Sequence, residues 1–174
     1  MRYADWQPCL WEYFGAEMKR LSIVELGKGE GTMFLHKHFK SVVSVEYSRY
    51  KYTATWEKEG LPGHKMVVVE MPKAYIVNDD IVIKTKGKRR PRALALEANR
   101  LYREALKHKA DVLFIDHGAH NRGEVLELAK RGKWKYIIVH DINPVYYNYN
   151  LESERHKTTY FRAGQGTAIL KLIE

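Results

Sequence analysis

The stretch that decides the fold runs from Leu21 to Thr32 and reads L-S-I-V-E-L-G-K-G-E-G-T. A short apolar run ends in glycines at every second position, Gly27, Gly29 and Gly31, and a helix-like segment follows. Glycine is needed where the backbone takes a positive φ or passes close to a ligand. The start of a helix offers free N–H groups and a dipole that favour anionic groups. The stretch therefore predicts a strand, a tight glycine turn and a helix, with a ligand against bare backbone.

Two acidic residues accompany this turn. Glu25 lies two positions before the first glycine, and Glu46 directly follows the next apolar run, Ser41–Val45. A carboxylate in the second position can accept hydrogen bonds from both hydroxyls of a ribose. A dinucleotide site makes the same use of such an acid, although its fingerprint has a different glycine spacing. The alternative is a turn that needs its glycines for backbone geometry alone.

The motifs E-L-G-K-G-E-G-T and S-V-V-S-V-E-Y resemble the first two motifs of class I S-adenosylmethionine-dependent methyltransferases. The resemblance implies an enzyme whose three glycines cradle the cofactor, S-adenosylmethionine. It also implies that Glu25 helps to place the methionine end, that Glu46 holds the ribose and that Tyr47 packs on the adenine. A core or surface position for Tyr47 is the alternative.

Two continuous apolar runs, Val112–Ile115 and Tyr136–Val139, are joined by a helical segment in the second half of the chain. The first run is followed by Asp116, and the second by His140 and Asp141. Such runs, alternating with helices, are typical of parallel strands covered on both faces of a sheet. Ligands of these sheets bind at the carboxyl ends of the strands. We therefore expect the acids at the four strand ends to converge on one site.

The chain of 174 residues is long enough for one domain with a hydrophobic core. We predict a single methyltransferase-like domain over 1–174 of the α/β class, a doubly wound, mostly parallel sheet with helices on both faces. Thr167–Ile173 is predicted to be an antiparallel terminal strand, and 1–20 to contain an N-terminal helix. An insertion at 66–92 would hold a hairpin and a basic loop. The polar, tyrosine-rich segment Val145–Arg162 is predicted to be a loop over the site.

The segment F-I-D-H-G-A-H-N-R-G-E-V, followed by I-I-V-H-D-I, resembles the metal-assisted O-methyltransferases that modify sugars and other small molecules. The resemblance implies that Asp116 contacts the cofactor near its methyl group and, with Asp141 and Asn143, binds Mg²⁺, which prefers oxygen ligands. His120 is an alternative third ligand. A metal-bound hydroxyl loses its proton more readily, and His117 or His120 would accept that proton as general base. The alternatives are an Asp116 that only touches the cofactor, as in metal-free relatives, and histidines that cap the next helix.

The net charge of +9 favours acidic partners such as nucleic acid. The strongest basic cluster is Lys84–Arg92, which can bind phosphates or form a solvated loop. Asn143–Tyr146, N-P-V-Y, is similar to the N-P-P-Y motif of amino-methyltransferases that act on DNA bases, proteins or RNA. The histidines at the strand ends instead favour a hydroxyl of a sugar or another small molecule as the methyl acceptor. The alternatives are a nucleic-acid- or protein-directed methyltransferase and a non-catalytic nucleic-acid-binding module on a degenerate methyltransferase scaffold.

The single cysteine, Cys9, excludes an internal disulfide. No apolar run approaches the roughly 18–20 residues of a membrane span, and the residues M-R-Y-A-D-W-Q-P do not resemble a signal peptide. We therefore expect a soluble, cytoplasmic protein without membrane contact, either as a monomer or as a homo-oligomer.

Overall fold

The computed structural model of the chain describes residues 4–29, 31–47, 64–69, 74–77, 80–83, 90–118, 121–144, 147 and 149–173. Most of the predicted basic loop, 84–89, lies outside the described residues, and so does the predicted base His120.

The described residues form helices on both sides of a central sheet. The helices are α1 (Gln7–Phe14), α2 (Thr32–His38), α3 (Arg90–Leu106) and α4 (Arg122–Ala129), and a 3₁₀ helix (Gly15–Arg20) directly follows α1. The strands are β1 (Ser22–Leu26), β2 (Ser41–Tyr47), β3 (His64–Val69), β4 (Ala74–Val77), β5 (Asp80–Ile83), β6 (Val112–Ile115), β7 (Tyr136–His140), β8 (His156–Phe161) and β9 (Thr167–Leu172). Across the described part of the chain, every helix is too short or too polar to cross a lipid bilayer.

Seven strands form the central sheet in the order β3-β2-β1-β6-β7-β9-β8. The first five in this order pair in parallel, and β9 pairs antiparallel with both of its neighbours. Leu26 of β1 lies opposite Val45 of β2 on one side and Ile115 of β6 on the other. The carboxyl ends of the neighbouring parallel strands therefore lie at one edge, and the predicted doubly wound sheet with an antiparallel terminal strand is confirmed.

The sheet separates two hydrophobic cores, because successive strand residues point to opposite faces. On one face, Val24 of β1 packs in a cluster with Leu101 of α3 and Leu126 of α4. On the other face, Ile23 packs in a cluster with Leu10 of α1, and α2 also contributes to it. Helices thus cover both faces, as the continuous apolar strands predict.

A two-stranded antiparallel sheet of β4 and β5 follows β3. Ile76 pairs with Ile81 and Val77 with Asp80, which is the register of a hairpin. The predicted hairpin in the 66–92 insertion is present, and its turn residues lie outside the described residues.

The prediction of a continuous loop over Val145–Arg162 is wrong. His156–Phe161 of this segment form β8, which pairs antiparallel with β9 at the edge of the sheet. An edge strand has one exposed side, so its polar composition resembles that of a loop. Its threonine, tyrosine and phenylalanine residues are nevertheless good strand formers.

The predicted N-terminal helix within 1–20 consists of two helical segments. The α-helix ends at Phe14, and Gly15 has a φ of 49°, a left-handed conformation that glycine adopts without strain. The segment to Arg20 continues as a 3₁₀ helix.

Truncation of a central strand residue should destabilise the protein strongly. Leu113 of β6 is fully buried, so Leu113→Ala should lower the free energy of unfolding by about 2–5 kcal/mol through lost burial and a cavity. Leu106→Ala is the matched control, because Leu106 is 53% exposed at the end of α3. Urea unfolding of both variants measures the difference, and equal losses would contradict this assignment of the core.

Candidate functional site

The ends of β1, β2, β6 and β7 meet at one edge of the sheet, as predicted. The backbone N–H of Gly27 donates to the carbonyl of Val45 at 2.9 Å, and that of Asp116 donates to the carbonyl of Leu26 at 3.0 Å. The glycine turn is therefore bound to the ends of β2 and β6. These contacts place the predicted site residues on three elements around one turn.

The three glycines of the turn have different surroundings. Gly27 has a φ of 99°, and a Cβ there would lie 2.7 Å from the carbonyl oxygen of Asp116. At Gly31 a Cβ would collide with the ring of Trp6. At Gly29 a Cβ would meet no atom of the described residues within 4 Å. Gly29 therefore presents its backbone to open space, which is the property that a cofactor lying on the turn requires.

Glu25 is a buried residue that supports the glycine turn through hydrogen bonds. The Glu25 carboxylate accepts hydrogen bonds from the hydroxyls of Thr32 at 2.8 Å and Ser44 at 2.5 Å, and the residue is 3% exposed. The hydroxyl of Thr32 also accepts the N–H of Gly29 at 3.1 Å. Burial raises the pKa of Glu25 to about 8. Glu25 thus shapes the loop around Gly29, and its predicted contact with the methionine end stays a prediction.

Glu46 joins the glycine turn to the end of β2. Its carboxylate accepts the backbone N–H of Lys28 at 2.8 Å and that of Tyr47 at 2.7 Å. Burial raises its pKa to about 7, although these hydrogen bonds oppose the shift. An ionised carboxylate has about four acceptor positions. Two of them remain for further donors, such as the two hydroxyls of a ribose.

Tyr47, which directly follows Glu46, forms a buried pair with His117. Both side chains are fully buried, with ring centroids 6.3 Å apart. Nε2 of His117 lies 2.9 Å from Oδ1 of Asn121, and burial lowers the pKa of His117 to about 3. The ring is therefore neutral, and its Nδ1 has no hydrogen-bond partner within the described residues. The predicted adenine contact of Tyr47 and the predicted base His117 both stay predictions, because the rings are enclosed here.

A histidine that the sequence left without a role connects three parts of the site. Nδ1 of His140 lies 2.9 Å from Asp116, and its Nε2 lies 2.7 Å from Asp5. Asp5 in turn accepts the N–H of Gln165 at 2.7 Å. Burial alone would lower the pKa of His140, but the hydrogen bond and charge of Asp116 raise it to about 9. His140 is thus a cation that joins β6 to the N-terminal segment.

Arg122 is the second internal cation of the site, and sequence reasoning missed it as well. Its Nη1 lies 3.0 Å from Asp141 and 3.3 Å from Asp116. Its Nε donates to the carbonyl of His117, and its Cζ lies 4.3 Å above the ring of Tyr147. Arg122 is the first residue of α4, where the helix dipole disfavours a cation. This unfavourable position is the feature of the sequence that could have indicated nearby carboxylates.

The two predicted metal-binding acids do come together. Ligand atoms of Asp116, Asp141 and His140 lie within 4.8 Å of one another. Asp141 has a φ of 56°, a sparsely populated conformation that is common at functional sites. The side chain of Asn143 instead donates to the carbonyl of Gly164 at 3.3 Å. His140 is therefore closer to this pair than the sequence indicated, while Asn143 as a ligand stays a prediction.

Replacement of the glycines should separate their roles. Gly31→Ala forces a methyl group against Trp6 and should lower the free energy of unfolding by about 1–3 kcal/mol. Gly29→Ala, its matched control, should change that energy by no more than about 0.5 kcal/mol, because the added methyl meets open space. Thermal unfolding of both variants measures the difference. A larger loss for Gly29→Ala would show that the turn is packed differently.

The stability of the fold should fall in alkaline solution. The pKa of His140 rises from 6.5 to about 9 on folding, so its contribution is fully present below about pH 6.5. It is lost as the pH rises through about 9, because the folded state then releases the extra proton. Urea unfolding across this range should show a smaller decline for His140→Gln than for the wild type. Parallel declines would contradict a protonated His140.

No protein-family model matches the sequence, and no curated protein matches it. Several solved structures, however, match the fold of this chain. A methyltransferase from Geobacter sulfurreducens is 16% identical with a TM-score of 0.57, over 100% of this chain and 82% of that one. A methyltransferase-like protein from Silicibacter pomeroyi is 15% identical with a TM-score of 0.59, over 100% and 88%. The SAH-bound methyltransferase PaMTH1 from Podospora anserina is 14% identical with a TM-score of 0.52, over 94% and 77%. The chain therefore has the Rossmann-like fold of class I methyltransferases.

Proposed function

We propose that this protein is an S-adenosylmethionine-dependent methyltransferase. The observation that carries the proposal is the open backbone of Gly29 beside a buried Glu46 that retains acceptor capacity. A carboxylate with two remaining acceptor positions matches the two ribose hydroxyls of an adenosyl ligand, and the open space at Gly29 leaves room for that ligand to lie close to the turn. A protein of the same fold, PaMTH1, was solved bound to SAH, which supports the same ligand class here.

Different residues at this edge of the sheet bind the cofactor and the methyl acceptor. S-adenosylmethionine supplies a methyl carbon that is already activated, so the protein has to position the acceptor and remove its proton. Gly29 and Glu46 hold the cofactor. Asp116 and Asp141 are 27% and 20% exposed, so an acceptor hydroxyl can approach both carboxylates. We propose a sugar or another small molecule with a hydroxyl as the acceptor.

The resemblance seen in the sequence also implies a magnesium ion that assists the transfer. Asp116 and Asp141 would hold the ion, with His140 as the third nearby donor. The residues present fit such an ion poorly, because Arg122 and His140 already donate hydrogen bonds to these carboxylates.

Loss of the Glu46 charge should weaken cofactor binding. Isothermal titration calorimetry with S-adenosylmethionine should give micromolar binding to the wild type. Glu46→Gln should bind about tenfold or more weakly, because a hydrogen bond to a charged group contributes about 1.5–3 kcal/mol. Glu127→Gln is the control, since Glu127 is 42% exposed on α4. Absence of binding to the wild type, with NAD as the comparison ligand, would overturn the proposal.

A cluster of lysines favours a second candidate function, nucleic-acid binding. Lys133, Lys135, Lys157 and Lys171 line a cavity of about 550 Å³. Lys157 and Lys171 lie directly opposite each other on β8 and β9, which is unfavourable for like charges unless an anion lies nearby. The cluster lies at the amino end of β7, about 17–20 Å from the opposite edge for a strand of ordinary length. An extended polyanion would be long enough to reach from this lysine cluster to the candidate site at the opposite edge.

A single lysine should account for a measurable part of any such affinity. Lys171→Gln should lower the salt dependence of single-stranded RNA binding by about 0.7 in the slope of log affinity against log salt. Lys107→Gln removes a charge directly after α3, outside this cluster, and should leave the slope unchanged. Fluorescence anisotropy over a range of KCl concentrations measures both. Equal slopes for Lys171→Gln and the wild type would remove the support for this function.

A further inference from the structure

We propose that the guanidinium group of Arg122 is the permanent cation of the Asp116–Asp141 pair, and that this pair binds no divalent metal. The part of this inference that concerns methyl transfer rests on the proposed function. The part that concerns metal binding does not depend on it.

Arg122 already makes the contacts that a bridging metal would make. Its Nη1 lies 3.0 Å from Oδ2 of Asp141 and 3.3 Å from Oδ1 of Asp116, so one nitrogen joins both carboxylates. The same oxygen of Asp116 lies 2.9 Å from Nδ1 of His140. Oδ1 of Asp116 is therefore already in contact with two cationic side chains.

The guanidinium is held too firmly to move aside. Arg122 is 4% exposed, and its Nε donates to the carbonyl of His117 while Nη1 lies 3.4 Å from the carbonyl of His140. The ring of Tyr147 covers its other side at 4.3 Å. An arginine does not lose its proton in proteins, so displacement would leave a buried charge without its partners.

Magnesium has requirements that this arrangement does not meet. It takes oxygen ligands in a nearly octahedral arrangement at about 2.0–2.1 Å and keeps several waters. Among the histidine, cysteine and acidic side chains of the described residues, the one that joins the two carboxylates is His140, which offers a nitrogen and not an oxygen. A doubly charged ion would also lie beside the positive charge of Arg122. Asp116 and Asp141 therefore have their counter-charge from the chain itself.

This assignment makes Arg122 a positioning residue. It holds the two partly exposed carboxylates side by side at the edge where the acceptor would bind, and it keeps a fixed positive charge there. Preorganised charge of this kind stabilises negative charge that develops on a reacting oxygen without any rearrangement. Arg122 would in this way supply the positive charge that a metal ion would otherwise supply at this edge.

Electron paramagnetic resonance with Mn²⁺ tests the inference without any activity assay. Wild-type protein at micromolar concentration should leave the signal of free Mn²⁺ unchanged, and Asp141→Asn should behave identically. Stoichiometric binding by the wild type that is lost in Asp141→Asn would overturn the inference.

A variant that should gain affinity for Mn²⁺ provides a second test. Arg122→Gln releases both carboxylates and should bind Mn²⁺ about tenfold or more tightly than the wild type, the size of effect that neighbours of metal ligands produce. Arg122→Lys retains the charge and should not gain this affinity. If Arg122→Gln does not fold, the comparison of wild type with Asp141→Asn still decides the question.

The same samples separate this inference from the proposed function. Calorimetry with S-adenosylmethionine in the presence of a chelator should show binding to the wild type. Loss of that binding on chelation, together with Mn²⁺ binding, would overturn the resident-cation assignment and leave the methyltransferase proposal intact. Absence of cofactor binding with or without metal would overturn the methyltransferase proposal, while an unchanged Mn²⁺ signal would still support Arg122 as the cation.

Discussion

Four carboxyl groups meet at one edge of a parallel sheet, and their desolvation and mutual repulsion are the constraint that the rest of the site has to satisfy. Each is accommodated differently. Glu25 is stabilised in its neutral form, because burial and the neighbouring acids raise its pKa to about 8. Glu46 is stabilised by two backbone N–H groups. Asp116 and Asp141 are stabilised by cations, Arg122 and His140.

The N-terminal segment takes part in the same network. Trp6 packs over the glycine turn at Gly31, with its ring 4.9 Å from that of Phe114 on β6. Asp5 binds His140 on β7 and the turn between β8 and β9. Two contacts from adjacent residues therefore connect the beginning of the chain to both sides of the candidate site. The stability of the fold and the arrangement of the site depend on some of the same side chains.

The parts of the structure that local patterns encode could be predicted from the sequence. The glycine turn, the continuous apolar strands and the acids after them follow from residue spacing, since parallel strands present their carboxyl ends at one edge. The edge strand β8 could not be recognised, because a polar strand at an edge has no apolar periodicity. The prediction for 145–162 was therefore wrong.

The cations of the site could not be predicted for a different reason. His140 contacts Asp5 across 135 positions of the chain, and no local pattern carries such a contact. Arg122 differs from an ordinary surface arginine only in its unfavourable position at the start of a helix. All three glycines were predicted to cradle a cofactor. In the structure, packing requires Gly27 and Gly31, and there is open space beside Gly29.

A crystal structure of the protein grown with S-adenosylhomocysteine and MnCl₂ would test the cofactor site and the resident cation together. We expect the ligand on the backbone of Gly29, its ribose hydroxyls on Glu46, and Arg122 still between Asp116 and Asp141 without an anomalous manganese peak. A ligand bound away from the glycine turn would contradict the proposed cofactor site. An anomalous peak between the two aspartates, with Arg122 displaced, would contradict the assignment of Arg122 as their permanent cation.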